Sequence, residues 1–415
     1  MTRPGADPAE PVANAPAVPG SHPLRLDTDR FGDQEKAADT PGRTAIGHAQ
    51  PSPKPTPEAA QATPRILLLS AYRSASHGAW ADWLAGSLDL MDWQIRELPG
   101  RHFRWRIRGN PLSWLDDLPL ETPDAVLATS MVDLATLRGL HPRIARAPTL
   151  YYFHENQFAY PIGQHQTRSL EPQIVQLYGA LAADRLAFNS EYNRSSFLEG
   201  VEGLLKRMPD RVPGGVVDRL ATRAEVLPVP VHPVPPGPER DRRLILWNHR
   251  WEYDKAPERF VDALLGLDAR GIEFRVALLG ARPQRAPEML TRLRERLGRR
   301  IDADGWLDRE PYERLLGRAA IAVSTALHEF QGLAMLEAVS AGVRPLVPDD
   351  LSYREQYPQR YRYPPGDGAA LLERLQQWLE GRLPPALDVS QWSVNALRPA
   401  WERIVRDLIR DTRPD

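Results

Sequence analysis

The 415-residue chain has no cysteine, which excludes disulfides and thiolate zinc sites outright. Lysine is nearly missing too. Lys36, Lys54, Lys206 and Lys255 are the only lysines among 53 basic residues, so a lysine inside a motif stands out against a background of arginine. The net charge is only −1, so no molecule-wide basic field draws the chain to nucleic acid or membrane, and any such partner has to be met by a local patch. No run approaches the ~18 uncharged apolar residues of a membrane helix. The opening Met1-Thr-Arg-Pro-Gly-Ala-Asp7 has no apolar stretch behind it, as a secretory signal would. A cytoplasmic protein without a membrane span is the simplest expectation.

What is present suffices for ordinary cores: 42% of the residues are hydrophobic, and the length suggests roughly two folded units. Residues 1–63 hold eleven prolines among Ala, Gly, Asp and Thr, with no apolar periodicity, and are expected to be a disordered tail. Short apolar runs then begin, at Ile66-Leu-Leu-Leu69, Ala125-Val-Leu-Ala128, Thr149-Leu-Tyr-Tyr-Phe153 and Arg185-Leu-Ala-Phe188. Helical stretches, for example Ala79 to Leu88 and Pro172 to Ala182, lie between them. Buried parallel strands alternating with helices indicate a doubly wound α/β domain, over residues 64–235. Pro228-Val-Pro-Val-His-Pro-Val-Pro-Pro236 reads as a semi-rigid linker, after which the pattern restarts. Leu244 to Trp247, Phe274 to Leu279, Ile321 to Ser324 and Arg344 to Val347 are its strands, giving a second domain over residues 236–390. Two such domains joined by a hinge place a cleft between the carboxyl ends of both sheets. In residues 391–415, the stretch Val394 to Ile409 is a candidate helix to cross back and brace the first domain.

The chemistry-bearing residues concentrate after two strands of the second domain. His328-Glu329-Phe330-Gln331-Gly332-Leu333-Ala-Met-Leu-Glu337 follows the strand at Ile321, so that Glu329 falls on the loop and Gly332 opens a helix. Free N–H groups and the positive end of the helix dipole suit a diphosphate there. Gly332 lets the backbone come close, and Glu337 points back to the same mouth, where it can accept both hydroxyls of a ribose. Taken alone, Glu329 reads better as an acidic first turn complementing the dipole. Trp247-Asn-His-Arg250-Trp-Glu-Tyr-Asp-Lys255-Ala-Pro257 follows the opening strand of that domain. A fork-shaped and a point cation five residues apart can clamp a pyrophosphate and stabilise a departing nucleotide. The plainer reading of Lys255 is a salt bridge with Asp254 or Glu258. Asp302-Ala-Asp304 has metal-binding spacing, but it lies away from that clamp and reads as a solvated loop, so no metal is expected.

Together these elements resemble the nucleotide-sugar half of retaining glycosyltransferases of the GT-B fold, with its Arg…Lys loop and Glu-x7-Glu element. The resemblance implies that Arg250 and Lys255 bind the diphosphate, Glu337 the ribose and Glu329 the transferred sugar. Phe330 to Leu333 would offer backbone amides, and Gly305-Trp306-Leu307 would frame the base. It implies no cofactor beyond the nucleotide-sugar donor. The Gly-Gly loop that such enzymes carry after the first strand is absent, and Ser70-Ala-Tyr-Arg-Ser-Ala-Ser76-His77 stands there instead. His154 ends the third apolar run of the first domain, beside Glu155, Asn156 and Gln157. A histidine at this strand end lies beside the reacting centre in the family, positioning sugar or acceptor.

The first domain also holds Arg101-His-Phe103-Arg104-Trp105-Arg106-Ile107-Arg108-Gly109-Asn110. On a strand the alternation puts Arg104, Arg106 and Arg108 on one face. That is either a charged, protected edge or a phosphate-tracking surface with aromatics for stacking on RNA. This passage, with Leu69-Ser-Ala-Tyr72, Ser76-His77, Trp80, Phe153-His-Glu-Asn-Gln157, Tyr160-Pro161 and Phe188-Asn-Ser190, is similar to the tRNA-queuosine mannosyltransferases. That resemblance covers about residues 65–380. It implies GDP-mannose as donor and queuosine in a tRNA anticodon loop as acceptor, with Ser76, His77, Arg104, Arg106, Arg108, Asn110, Glu155, Asn156 and Gln157 on the acceptor side. Other readings are a related enzyme with a glycolipid or small-molecule acceptor and a non-catalytic nucleotide-sugar-binding protein. A membrane-surface enzyme would need a basic amphipathic helix, and none stands out. A nicotinamide dehydrogenase would need a Gly-x-Gly-x-x-Gly after an opening strand, and neither has one.

Overall fold

A computed structural model describes residues 63–160, 169–282 and 288–410. Most of the expected tail (residues 1–62) and Pro161 therefore lie outside the described residues.

The apolar runs become strands buried on both sides. β1 (Arg65–Arg73), β2 (Asp92–Pro99), β3 (Ala125–Thr129), β4 (Thr149–Phe153), β5 (Arg185–Phe188) and β6 (Ala224–Val226) form one parallel sheet, in the order β2-β1-β3-β4-β5-β6. β7 (Asp241–Trp247), β8 (Arg275–Leu278), β9 (Ile301–Asp304), β10 (Ala319–Val323), β11 (Arg344–Pro348) and β12 (Arg362–Tyr363) form the second, in the order β12-β11-β10-β7-β8-β9. In each sheet the opening strand lies inside and the order turns back on itself, so the topology switches direction there and leaves a crevice at the carboxyl ends. The expected doubly wound α/β fold is thus present twice.

β1 shows how the pattern works. Its side chains alternate, so Leu67 and Leu69 enter a core with Ile107, Trp114, Tyr151 and Phe153 on one face. Ile66 and Leu68 enter a second core with Trp80, Tyr152 and Trp401 on the other. Trp401 belongs to the C-terminal helix Val394–Arg410, whose Trp401, Ile404, Val405 and Leu408 are buried at helical spacing. That helix lies across the first sheet. Trp401 packs on Tyr152 (4.9 Å) and Trp80 (5.6 Å), and its indole N–H donates to the Pro228 carbonyl at 3.0 Å. Ser393 bridges Val231, so the start of the helix is also tied to the linker.

Two stretches differ from their sequence reading. Phe103–Ser113 is a helix (α2), not a strand. The alternation at 103–108 is short, while Ile107, Asn110 and Trp114 repeat at three and four residues and all point inward. Pro111 has no N–H to give the Ile107 carbonyl, and the Asn110 amide replaces it, donating to Ile107 at 3.3 Å and Arg106 at 2.8 Å. The second is Asp302-Ala-Asp304, which is β9 and not a loop. Asp302 pairs with Arg275 and Arg318, and Asp304 with Arg282 and Arg294.

Candidate active site

A cleft of about 1870 Å³ runs between the carboxyl ends of the two sheets. One side, where the sequence places the nucleotide sugar, is built on the loops after β7 and β10. After β7 the chain passes through Asn248, His249 and Arg250 and makes a turn over Tyr253–Lys255. Ala256 then takes a left-handed conformation (φ 45°) before Pro257 begins a helix. That strained link is held by Thr325, whose hydroxyl donates to the Lys255 and Ala256 carbonyls at 2.8 and 2.9 Å. Gly280 closes on this loop from β8. A side chain there would sit 1.9 Å from the His249 carbonyl oxygen, so only glycine fits.

Lys255 is thereby buried at the cleft floor, where its ammonium donates to the His328 carbonyl (2.8 Å) and Glu329 (3.1 Å) and lies 3.3 Å from Asp254. Burial alone would raise the Glu329 carboxyl. Lys255 and the Gly332 N–H outweigh it and hold the group down at about 2. Gly332 is left-handed (φ 67°) and starts the helix Leu333–Ser340, whose first residues Leu333 and Ala334 line the cleft. Arg250 pairs with Glu252 at 2.7 Å and Asp254 at 3.5 Å, yet its side chain stays half exposed. Arg250 and Lys255 each have anionic partners, and of the two Arg250 is the more open to exchange them for a phosphate. Glu337 accepts from Arg309 (2.5 Å) and from the Tyr312 hydroxyl (3.0 Å), both of which also line the cleft. Leu307 and Leu333 are half-buried, and Trp306 is exposed at the mouth.

The opposite side, where the sequence places the acceptor, is built on β1, β4 and α1 (Ala75–Ser87). β1 runs on through Arg73 and Ser74 caps α1, so Ser76 and His77 lie in its first turn rather than in an open loop. The His77 ring donates from Nδ1 to the Tyr72 carbonyl at 3.0 Å, which leaves Nε2 as an acceptor. His154 ends β4, with its ring 4.1 Å from His77, 4.6 Å from Trp80 and 4.7 Å from Tyr152. Its Nε2 is buried with no hydrogen-bond partner among the described residues. Burial keeps these histidines neutral. His77 falls to about 4, and His154 lies well below its usual value, helped by His77. Across the cleft His249 and His328 also fall to about 4, through burial and then the Lys255 charge.

Glu155 and Gln157 face the cleft, and the Gln157 amide donates to Glu155 at 3.2 Å. Burial raises the Glu155 carboxyl to about 7 despite the opposing charge of Arg250. Asn156 turns the other way. It is buried and clamps Asn193, Ser196 and the amides of Phe158 and Ala159. Asn110 likewise serves the scaffold, since its carbonyl accepts from the Asp133 N–H at 3.1 Å. Of the three arginines expected on one strand face, Arg104 alone lines the cleft. Arg106 is buried and Arg108 pairs with Asp133 at 2.5 Å. A helix spreads alternate residues around its circumference, and this is the physical reason the shared cationic face does not exist. Gln331, expected to offer an amide to the donor, also bonds both backbone groups of Val229 through its side chain at 3.0 and 2.8 Å.

Several cleft residues had not been singled out: His249, Asp254, Tyr160, Tyr312 and Arg309. Tyr160 closes the cleft from the acceptor side, its ring 4.5 Å from His328. His249, Asp254 and Tyr160 lay inside quoted motifs, whereas Arg309 and Tyr312 lay outside them and gave no signal of their own. Among the described residues no cluster of three metal-binding side chains exists, and no helix is long and apolar enough to cross a membrane.

Comparison with known proteins adds to this geometry. Residues 65–231 match the family described as tRNA-queuosine alpha-mannosyltransferase N-terminal, and residues 232–392 match glycosyl transferases group 1. A Drosophila melanogaster tRNA-queuosine alpha-mannosyltransferase is 34% identical over 316 residues, spanning 73% of this chain and 84% of that protein. Among solved structures, Anabaena HepE in complex with UDP matches with a TM-score of 0.58 at 14% identity, over 84% of this chain and 100% of that one. The lipopolysaccharide outer core galactosyltransferase WaaB matches with 0.57 at 14%, over the same shares. These structural likenesses show the shared GT-B fold.

Proposed function

This chain belongs to the tRNA-queuosine alpha-mannosyltransferase family and is a glycosyltransferase, and from that premise we propose that it transfers mannose, with retention, from GDP-mannose to queuosine in a tRNA anticodon loop. The observation that carries the reading is the Lys255–Glu329 pair at the cleft floor, beside the amides that open Leu333–Ser340 and facing His154 and Glu155 across the gap.

In this reading the diphosphate displaces the carboxylates from Arg250 and lies over the amides of the Leu333–Ser340 helix, with Lys255 beneath it. The two cations neutralise the charge that grows on the leaving phosphate as the C1–O bond breaks, a task that needs no metal ion. Glu337 exchanges Arg309 and Tyr312 for the ribose hydroxyls. Glu329, ionised throughout the physiological range, faces the sugar and balances positive charge developing at its anomeric carbon. The neutral rings of His154 and His77 position sugar and acceptor hydroxyls without adding charge. Glu155 in its ionised form accepts a hydrogen bond from the acceptor hydroxyl and orients it for attack on the face the diphosphate leaves, and as the new C1–O bond forms the hydroxyl's proton passes to the departing diphosphate oxygen.

The test is transfer of label from GDP-mannose, and separately from other sugar nucleotides, to tRNA with or without queuosine. Label entering only queuosine-containing tRNA, from GDP-mannose alone, supports the proposal. Transfer to another acceptor, or donor hydrolysis with no labelling of tRNA, rejects the proposed acceptor.

A further inference from the structure

Helix α2 presents an unusual surface to the cleft. Trp105 is 57% exposed on it, although the indole is the largest side chain the chain could have buried. One turn further on, a Cβ at Gly109 would lie 2.4 Å from the Trp105 ring, so the ring lies flat across that glycine. The helix itself is fixed from beneath by Ile107, Asn110 and Trp114, all buried. One face of the indole is thus seated on rigid backbone and the other is open. Arg104, next to it, is exposed and has no ion-pair or hydrogen-bond partner among the described residues. Both line the cleft, and Phe103 between the two approaches Tyr72 at 6.3 Å. The Tyr72 hydroxyl in turn feels the charges of Glu155 and Arg250, which places this surface beside the acceptor side.

We propose that Trp105, seated on Gly109, is the stacking platform for an unpaired base of the acceptor RNA, with Arg104 contacting the adjoining phosphate. The inference rests on the reading that the acceptor is a nucleoside within an RNA loop. A flat, pre-ordered aromatic beside a free guanidinium fits unpaired RNA because every base offers a π-face, whereas the base edges of a duplex are stacked away. The chain's net charge of −1 means that no general field holds RNA, so a local pair of this kind has to supply the contact.

The experiment is fluorescence-polarisation binding of a labelled anticodon stem-loop RNA to the full chain at several salt concentrations. Trp105→Ala is expected to weaken binding about tenfold or more, and Trp105→Phe to restore most of it. Arg104→Glu is expected to weaken binding and flatten its salt dependence. Gly109→Ala, which keeps both side chains but displaces the Trp105 ring, is expected to fall between wild type and Trp105→Ala. Wild-type affinity in Trp105→Ala, or no binding by the wild type, overturns the inference. Trp105-dependent binding without sugar transfer to queuosine-containing tRNA sustains the platform and rejects the proposed reaction.

Discussion

The wall of the cleft that follows β7 and β10 is charged throughout, with Arg250, Glu252, Asp254, Lys255 and Glu329 in one network. The wall that follows β1 and β4 has little fixed charge. His77 and His154 are neutral through burial, and Glu155 is held near neutrality. The difference follows the chemistry expected at each. A diphosphate is an anion that becomes a better leaving group as its charge is balanced, so its wall needs fixed cations that are themselves kept paired while empty. A hydroxyl is neutral and needs orientation, which uncharged rings and one polarisable carboxyl supply. If this division is real, changes on the two walls fail in different ways.

Lys255→Ala should have the largest effect. It removes the buried charge proposed to lie under the diphosphate and should lower kcat/KM about 10³-fold, close to 4 kcal/mol in the transition state. Steady-state kinetics beside a thermal melt checks it, since activity near wild type would remove the clamp from the account. Glu155→Gln should lower kcat about a hundredfold, because an amide cannot accept the hydroxyl in the same way. The wild-type rate should rise with pH through about 7 as Glu155 ionises, and the variant should lose that limb. An unchanged pH profile in Glu155→Gln would take the residue out of the reaction.

Acid should loosen both walls together. His77, His249 and His328 titrate near 4 when folded and near 6.5 when unfolded, so between those values the unfolded chain holds more protons and stability falls as pH falls. Glu329, near 2 instead of 4.5, adds to the loss at lower pH. Glu155 acts in the opposite sense between about 4.5 and 7, as do the raised Glu97 and Glu355, whereas His154 adds to the loss. Denaturant melts from pH 7 to 5 should show a net loss of about 3 kcal/mol. A flat profile would mean these rings are not buried neutral. The smallest effect is expected from Asn110→Ala, about 2 kcal/mol of stability with little change in the acceptor KM, because its amide serves Pro111 and Asp133. A large rise in acceptor KM with unaltered stability would return Asn110 to the binding surface.

Much of this was legible in the sequence. Continuous apolar runs such as Ile66 to Leu69 marked buried parallel strands, and the lone Lys255 and the Glu329…Glu337 spacing marked residues that the fold brings to one wall of the cleft. Strands with weak apolar content were not visible: β2 is an edge strand with mixed residues, and β9 was hidden by its paired aspartates. Residues 103–108 fit two periods at once, and only the packing of Ile107, Asn110 and Trp114 decides for the helix. Asn110 and Asn156 looked like binding groups because a buried amide and a site amide are the same letter. Their hydrogen-bond partners distinguish them, and those partners are distant in sequence.

The division between the walls is tested most directly by titrating GDP, without any acceptor, into wild-type protein, Lys255→Ala and Glu155→Gln in a calorimeter. The account expects GDP affinity to be lost in Lys255→Ala and kept in Glu155→Gln. Equal loss in both, or full affinity in Lys255→Ala, would contradict it.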